Sequence, residues 1–351
     1  MTSFSTRSTV VFTVLFVALV LATADLLVIT ASALLLIFAG LLFGVFVHAL
    51  SRWPAKYLPL SYHASYMIVV TLMLFVIGMG FFYLGSQVAQ RVDEFWTQLQ
   101  SSIETADQHL KESEWAARYL PSGSELQDQL KQSSTSVVPK MLQGLQRVSW
   151  AFTGAIVIFF VGLYAAFDPG LYRNGIIKLV SKDKRSRIAE VLDRIRAALG
   201  LWLIGRFVSM VVVGIATAIG LAILGIPLPV SLGVLAALLT FIPNIGPLLA
   251  TIPQMLLAVN VGANSVLYVI VLNLILQTVE SYLITPIVQK HEVSLPPILT
   301  IAAQIVMGVV TGIIGVMMAA PLVVVIMVLV QMLYIHDKLG DEDPGELVEQ
   351  C

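Results

Sequence analysis

The chain has 351 residues, of which 58% are hydrophobic and 12% are charged, whereas about a quarter of the residues of a soluble domain are charged. Because about 20 apolar residues cross a bilayer core, this composition predicts a membrane protein and excludes a large extramembrane enzyme domain. The 20 basic and 21 acidic residues nearly cancel, so the net charge gives no indication of a nucleic-acid partner, and none is expected.

Apolar runs bounded by charges, glycine and proline predict an all-α polytopic membrane protein with about eight transmembrane helices. The expected helices cover residues 9–24, 26–48, 65–88, 149–167, 199–224, 229–259, 266–285 and 298–334. The first three belong to an N-terminal unit, 1–90, and the last five to 148–335. Only Asp25 separates the first two helices, which favours a tight hairpin with Asp25 as a cap or bend residue; a polar function for this carboxylate is a secondary possibility.

The distribution of basic residues predicts how the helices cross the membrane. Segment 168–206 holds nine Lys and Arg residues against four acidic ones, which places the loop 168–200 in the cytoplasm. With eight spans, both termini are cytoplasmic, including the acidic tail 336–351. Segment 91–147 then lies outside the cytoplasm.

The extracytoplasmic insertion, 91–147, is expected to be helical. Its apolar residues recur at spacings of three and four from Val92 to Leu110, and Pro121 interrupts the pattern. Burial of this stripe in a bundle within or between subunits predicts a homo-oligomer. The alternative is that the stripe lies on the membrane surface.

A cluster of helix-breaking residues interrupts the sixth predicted helix: Pro243, Asn244, Gly246 and Pro247. Two prolines and a glycine predict a broken helix, because proline removes a backbone donor and clashes with the preceding turn. Broken backbone at membrane depth is tolerated where it lines a cavity, so this segment is a candidate solute site. The alternatives are a kink that helps packing and a re-entrant loop without a solute.

The seventh predicted helix carries a polar face. Asn273, Gln277 and Glu280 follow each other at i, i+4 and i+7 and therefore share one side of the helix. A carboxylate at the centre of a membrane helix costs about 2.5–3.5 kcal/mol on insertion scales. Glu280 is therefore the first candidate for an ion- or proton-coupling group, and the two amides are candidates for hydrogen bonds to a polar solute. The alternative is a stripe of interhelical hydrogen bonds.

Four further residues are secondary candidates. Arg206 is a charge beside a long uncharged stretch, and Thr285 and Pro286 end the seventh predicted helix. Gln304 is the one amide on a face of small residues in the eighth predicted helix, suited to close packing or to a pathway wall. Motifs for a catalytic serine, a nucleotide or a zinc ion are absent, so no enzyme activity, cofactor or metal is expected.

Three motifs resemble, in order and spacing, those of the autoinducer-2 exporter family of bacterial inner-membrane transporters: Phe241-Ile242-Pro243 with Ile245-Gly246-Pro247, Glu280-x-x-Leu283-Ile284-Thr285-Pro286, and Gly312-x-x-Gly315-x-x-x-Ala319-x-Pro321. The motif-bearing resemblance covers about 200–330, and the N-terminal half is similar only in hydropathy layout and in its outer insertion. Arg206 stands where the family often has Gln. The resemblance implies oligomeric transporters in the bacterial inner membrane that export small solutes, autoinducer-2 in some members, or exchange sodium for protons in others.

The residues and the resemblance together predict a secondary transporter whose transport core is 200–335. Its expected action is export of a small polar solute, an autoinducer-2-like signal or a metabolite, with protons or sodium as candidate coupling ions. One alternative is a cation/proton antiporter of the same family. The other is a non-transporting oligomeric membrane scaffold.

Overall fold

A computed structural model of the protein describes residues 30–55, 61–79, 153–284 and 296–341. All regular structure in these ranges is helical, which confirms the predicted all-α class. Ten α-helices are labelled in chain order: α1 Thr30–Ala55, α2 Tyr62–Met79, α3 Thr153–Phe167, α4 Pro169–Lys178, α5 Arg185–Ile223, α6 Pro229–Thr240, α7 Ile245–Val259, α8 Ala263–Val279, α9 Pro297–Thr311 and α10 Ile313–Leu329. Two of them continue as wider π-helical turns, α8 through Glu280–Ile284 and α10 through Val330–His336, after which Asp337–Leu339 forms a last turn.

The described residues contain five helices that are long and apolar enough to cross a membrane, or six if α3 and α4 form one bent span. This result confirms a polytopic arrangement, but the expected number of eight is not confirmed. The predicted helix 9–24, Asp25 and the insertion 91–147 lie outside the described residues. Their topology remains a prediction.

The expectation of a single helix over 298–334 is wrong, because the structure has two helices there. These are α9 and α10, which are separated at Gly312, where φ is +67° and ψ is −147°. Backbone of this kind is accessible to glycine and strained for other residues. A Cβ atom on Gly308 would lie 2.9 Å from Val316 Cγ2, although eight residues of continuous helix would separate these positions by about 12 Å. The chain therefore turns back at Gly312, and α9 and α10 form a hairpin.

Helix α5 begins at Arg185, well before the expected start at residue 199. Its 39 residues correspond to a length of about 58 Å, nearly twice the thickness of a bilayer core. The apolar C-terminal part can therefore cross the membrane while the charged N-terminal part extends beyond it. An ion pair of 2.6 Å joins Asp193 in that charged part to Arg173 of α4.

Close helix packing joins the N-terminal helices. Gly40 and Gly44 of α1 lie against α3, where a Cβ atom on Gly40 would come within 2.7 Å of Val161 Cβ. The hydroxyl group of Tyr66 on α2 donates a hydrogen bond of 3.0 Å to the Leu163 carbonyl of α3. These contacts make α1, α2 and α3 one packed group.

Two apolar clusters hold the remaining helices together. The larger joins α1, α5 and α10 through residues that include Leu42, Trp202 and Val324. The second joins α5, α6, α7 and α8 through Leu221, Leu232, Leu257 and Val269, each at most 1% exposed. The broken segment between α6 and α7 lies at the end of this second group, and Gln304 of α9 is hydrogen-bonded to it.

Candidate functional site

The end of α8 carries an ion pair between a buried carboxylate and a partly buried guanidinium group. Glu280, which begins the π-helical turn, is 7% exposed, and its Oε1 atom accepts a hydrogen bond of 3.1 Å from Nη1 of Arg206 on α5. On the other oxygen, Oε2, Nε2 of Gln277 donates at 3.4 Å. Two residues that the sequence treated as separate candidates, Arg206 and Glu280, are therefore direct partners.

The polar face of α8 continues into a pair of amides. Nδ2 of Asn273 donates to the backbone carbonyl of Val269 at 2.9 Å and to Oε1 of Gln254 on α7 at 2.8 Å. Because a backbone carbonyl can only accept, Asn273 must point its NH2 group towards Val269, and the same NH2 group then requires the oxygen of Gln254 as its second partner. Nε2 of Gln254 then has no hydrogen-bond partner among the described residues, although the side chain is fully buried.

Gln254 is a site residue that the sequence analysis missed. It lies in an otherwise apolar stretch directly after Pro253, and a side-chain amide at membrane depth needs a partner because lipid offers none. This need for a partner was the signal in the sequence that could have identified Gln254. In the structure, Asn273 bonds the oxygen of the Gln254 amide, and the NH2 group of this amide remains available to a water molecule or a solute.

The broken segment turns back sharply on α6. Helix α6 ends at Thr240 and α7 begins at Ile245, so the predicted break at 241–247 is present. A Cβ atom on Gly246 would overlap the carbonyl oxygen of Leu239 and lie 2.6 Å from its carbonyl carbon. Seven residues of continuous helix would separate the two positions by about 10 Å. Gly246 is therefore required for the close approach of the two helix ends.

The four break residues have different surroundings. Asn244 is exposed, with a φ of +64° and a ψ of −52°. The N–H of Ile245 donates to the Pro243 carbonyl at 2.7 Å across it, so this is the γ-turn with positive φ, which is rare and strained. The buried Pro243 contributes its carbonyl, which accepts a hydrogen bond of 2.9 Å from Nε2 of Gln304 on α9. Oε1 of Gln304 is buried and has no partner among the described residues. The carbonyl of Pro247 accepts from the Thr251 hydroxyl at 2.9 Å.

The pairing of α7 with α8 brings the ion pair and the break to a similar depth. These helices form a hairpin, and Gln254 contacts Asn273. Glu280 lies seven residues after Asn273 in α8, and Pro247 lies seven residues before Gln254 in α7. Because the two helices are antiparallel, both steps lead away from the hairpin loop. Each step corresponds to about 10 Å along its helix. Glu280 and the broken segment thus lie at a similar level of the bundle.

Three sequence candidates cannot be placed relative to this arrangement. Asp25, Thr285 and Pro286 lie outside the described residues. Within the described ranges, no group of three His, Cys, Asp or Glu side chains could hold a metal ion. What the described site offers is a set of hydrogen-bonding amides, one buried carboxylate and one guanidinium group.

Comparisons with known sequences agree with a transport role. The sequence model of the family described as "AI-2E family transporter" matches residues 10–335. The chain is 26% identical to "Putative transport protein YrrI" of Bacillus subtilis over 54% of this chain and 53% of that protein. It is 22% identical to "Putative transport protein YueF" of the same organism, over 83% of this chain and 81% of that protein. The match to the first relative thus spans about half of that protein's length.

Proposed function

Since the chain belongs to the AI-2E family of transporters, and is therefore a multi-pass membrane transporter, we propose that it is a secondary transporter that exports a small polar solute. The proposed location is the bacterial inner membrane with both termini in the cytoplasm. The basic loop 168–200 supports this orientation through the positive-inside rule. An autoinducer-2-like signal or a metabolite is the proposed cargo.

The observation that carries this proposal is the convergence of polar groups beside a broken helix. Gln254 of α7 bonds Asn273 of α8, Gln277 and Glu280 follow on the same face of α8 with Glu280 paired to Arg206 of α5, and the break at 241–247 lies at the level of Glu280. Irregular backbone at membrane depth is found where it is buried in protein or lines a cavity, and transporters use such breaks to bind solutes. The open donor of Gln254 and the open acceptor of Gln304 suit hydroxyl groups of a solute.

Glu280 is the proposed coupling group, because it is the carboxylate that the described structure buries in α8. Its neighbour Arg206 supplies a positive charge at 3.1 Å, in the place where a coupling cation would otherwise bind. This contact favours proton coupling over direct sodium binding at Glu280. The family alternative, cation/proton antiport, requires a cation site elsewhere or displacement of Arg206.

The test is flux in liposomes that contain the purified protein, with imposed proton or sodium gradients and autoinducer-2 as the first solute. Glu280→Gln should leave the protein folded and abolish gradient-coupled flux, because the amide keeps the shape of the carboxyl group and loses its titratable proton. Glu190→Gln is the matched control, since Glu190 is exposed and pairs with Arg187 at the charged end of α5. Unchanged coupled flux in Glu280→Gln would reject the assignment.

The alternative function, a non-transporting oligomeric scaffold, is tested by disrupting the proposed contact between subunits and measuring both oligomer mass and flux. If the stripe in 91–147 joins subunits, replacing Leu99 and Ile103 together by Asp should lower the oligomer mass in mild detergent, because burying unpaired carboxylates is costly. Ser101→Asp is the control, since helical spacing places it opposite Leu99. An intact oligomer would contradict the proposed interface. Flux that persists in dissociated subunits would show that assembly is not needed for transport.

A further inference from the structure

Helix α4 leaves the bundle almost at a right angle. Its axis is bent by 85° from that of α3, and Asp168 alone separates the two helices. A side-chain oxygen of Asp168 accepts a hydrogen bond of 3.1 Å from the N–H of Leu171, and α4 opens with Pro169, so the sequence itself starts a new helix here. Because 149–167 is a predicted membrane span, α4 then runs roughly parallel to the membrane plane.

The neighbouring helices place the start of α4 at the end of the membrane spans. Tyr62 is the first residue of α2, and its hydroxyl group donates a hydrogen bond to the Ala166 carbonyl in the last turn of α3. Helix α2 therefore starts at the level at which α3 ends. Trp53 near the end of α1 and Tyr172 in α4 are both exposed. Exposed Trp and Tyr side chains are typical of the boundary between a membrane and water.

Two hydrogen bonds determine which side of α4 faces the bundle. Nε and Nη2 of Arg173 donate to the two carboxylate oxygens of Asp193 on α5, at 2.9 and 2.6 Å. A bidentate pair of this kind fixes orientation as well as position. The sides of α4 that are not held against α5 carry large apolar side chains, which are 44–87% exposed: Leu171, Tyr172, Ile176 and, at the end of the helix, Leu179.

Positive charge is concentrated where α4 ends. Lys178, Lys182 and Lys184 are exposed, and none of them forms an ion pair with a carboxylate of the described ranges. Arg185 donates to the carbonyls of Val180 at 3.1 Å and Lys178 at 3.4 Å, which holds the turn between α4 and α5 together and keeps the three lysines at one end of α4. The exposed Asp183 is the single negative charge among them.

We propose that α4 and the turn 179–184 form a binding surface for anionic phospholipids. A helix that lies along a membrane buries its apolar side chains at the boundary between headgroups and acyl chains, and long lysine side chains then extend to the phosphate groups. The exposed apolar side chains of α4 continue the apolar surface of α3, where Tyr164 and Phe167 are exposed. With the orientation proposed above, the surface faces the cytoplasmic leaflet, whose anionic lipids attract basic segments. This binding does not depend on the transported solute.

The first experiment measures where the apolar side of α4 lies. A fluorophore is attached to Ile176→Cys in full-length protein in lipid nanodiscs, with the single native cysteine removed by Cys351→Ser. Asn174→Cys is the matched control, because two residues along a helix place it on nearly the opposite side and Asn174 is also exposed. The label at 176 should be quenched by nitroxide lipids and protected from iodide. The label at 174 should show the reverse.

The second experiment measures preference for anionic headgroups with the same label at 176. Nitroxide-labelled phosphatidylglycerol and phosphatidylcholine are compared at equal mole fraction in phosphatidylcholine nanodiscs. Phosphatidylglycerol should quench at least about threefold more strongly, because each lysine near the surface attracts anionic lipid. The triple variant Lys178→Gln, Lys182→Gln and Lys184→Gln should lose this preference, and Asp183→Asn should increase it. Salt at about 1 M should reduce it in the wild type.

Three results would overturn the proposal. Equal quenching by the two lipids in the wild type, or an unchanged preference in the triple variant, would reject headgroup binding. Iodide quenching at 176 as strong as at 174 would place the apolar side in water. Protection of the label at 176 from both iodide and nitroxide lipids would show that protein, such as a second copy of the chain, covers this side of α4.

Discussion

Replacing Gly246 by Ala should destabilise the protein through a single added methyl group. The new Cβ atom would lie 2.6 Å from the carbonyl carbon of Leu239, whereas carbon atoms in contact are about 3.5–4.0 Å apart. The end of α6 and the start of α7 must therefore separate by about 1 Å or more. Because the obstacle is backbone, it cannot be relieved by rotating a side chain. We expect the loss to lie near the upper end of the usual overpacking cost, about 3 kcal/mol.

Gly175→Ala is the matched control for this variant. Gly175 lies inside α4, and a Cβ atom there would have no neighbour within 4 Å. In a helix interior, replacing glycine by alanine stabilises by about 0.5–1 kcal/mol. The two variants, which add the same methyl group, should therefore differ by about 3.5–4 kcal/mol in the free energy of unfolding.

The measurement is unfolding in mixed detergent micelles, monitored by tryptophan fluorescence. The rings of Trp202 and Phe241 are 6.0 Å apart edge to face, so Trp202 also reports on packing at the break in the folded protein. A shifted emission in Gly246→Ala and an unshifted one in Gly175→Ala would localise the disturbance. Equal stability of the two variants would refute the argument that the helix ends are in backbone contact.

Three further outcomes are expected. Replacing Pro243 and Pro247 together by Ala should weaken or abolish transport while insertion persists, because helix can then extend into the break; normal flux with a modest loss of thermal stability would identify a packing kink instead. Arg206→Gln should cost about 3–5 kcal/mol, but adding Glu280→Gln should restore much of this loss, since both charges are then absent; additive losses in a double-mutant cycle would contradict direct pairing. Tyr66→Phe should cost about 1 kcal/mol in unfolding assays, because one buried hydrogen bond to α3 is lost, and an unchanged stability would argue against that bond.

The broken segment could be predicted from sequence because its signal is local. Pro243, Gly246 and Pro247 each impose a backbone constraint within a few residues, and the structure breaks the helix between Thr240 and Ile245. The direction of the chain after the break could not be predicted in this way. It depends on the contact of Gly246 with α6, which is a property of packing.

The break at Gly312 was not expected, because a glycine among other small residues can have either of two structural roles. Small residues allow helices to approach closely, and glycine also permits a positive φ. The helical periodicity of the small residues favours a role in close packing, whereas the hairpin of α9 and α10 requires the positive φ of Gly312.

The polar face of α8 was predictable, but its partners were not. Helical spacing places Asn273, Gln277 and Glu280 on one side, and the cost of burying them indicates that partners must exist. Nothing in the spacing assigns Arg206, 74 residues earlier in the chain, to Glu280. Gln254 was overlooked for the same reason, since a single amide has no periodicity.

Helix α5 connects the ion pair at Arg206 directly to the charged end of the bundle, because both lie on this one long helix. From Arg206 to the start of the helix at Arg185 is about 31 Å, so a tilt of about 10° around Arg206 would displace that end by about 5 Å. Near the same end, Arg187 bonds Asp337 at 2.8 Å and the carbonyl of Met332 at 3.0 Å. Because Val191, Ala198 and Trp202 of the same stretch are buried in one cluster with residues of α1 and α10, α5 could tilt only together with these two helices, and a rearrangement at Glu280 would then displace the helices at that end of the bundle as one unit.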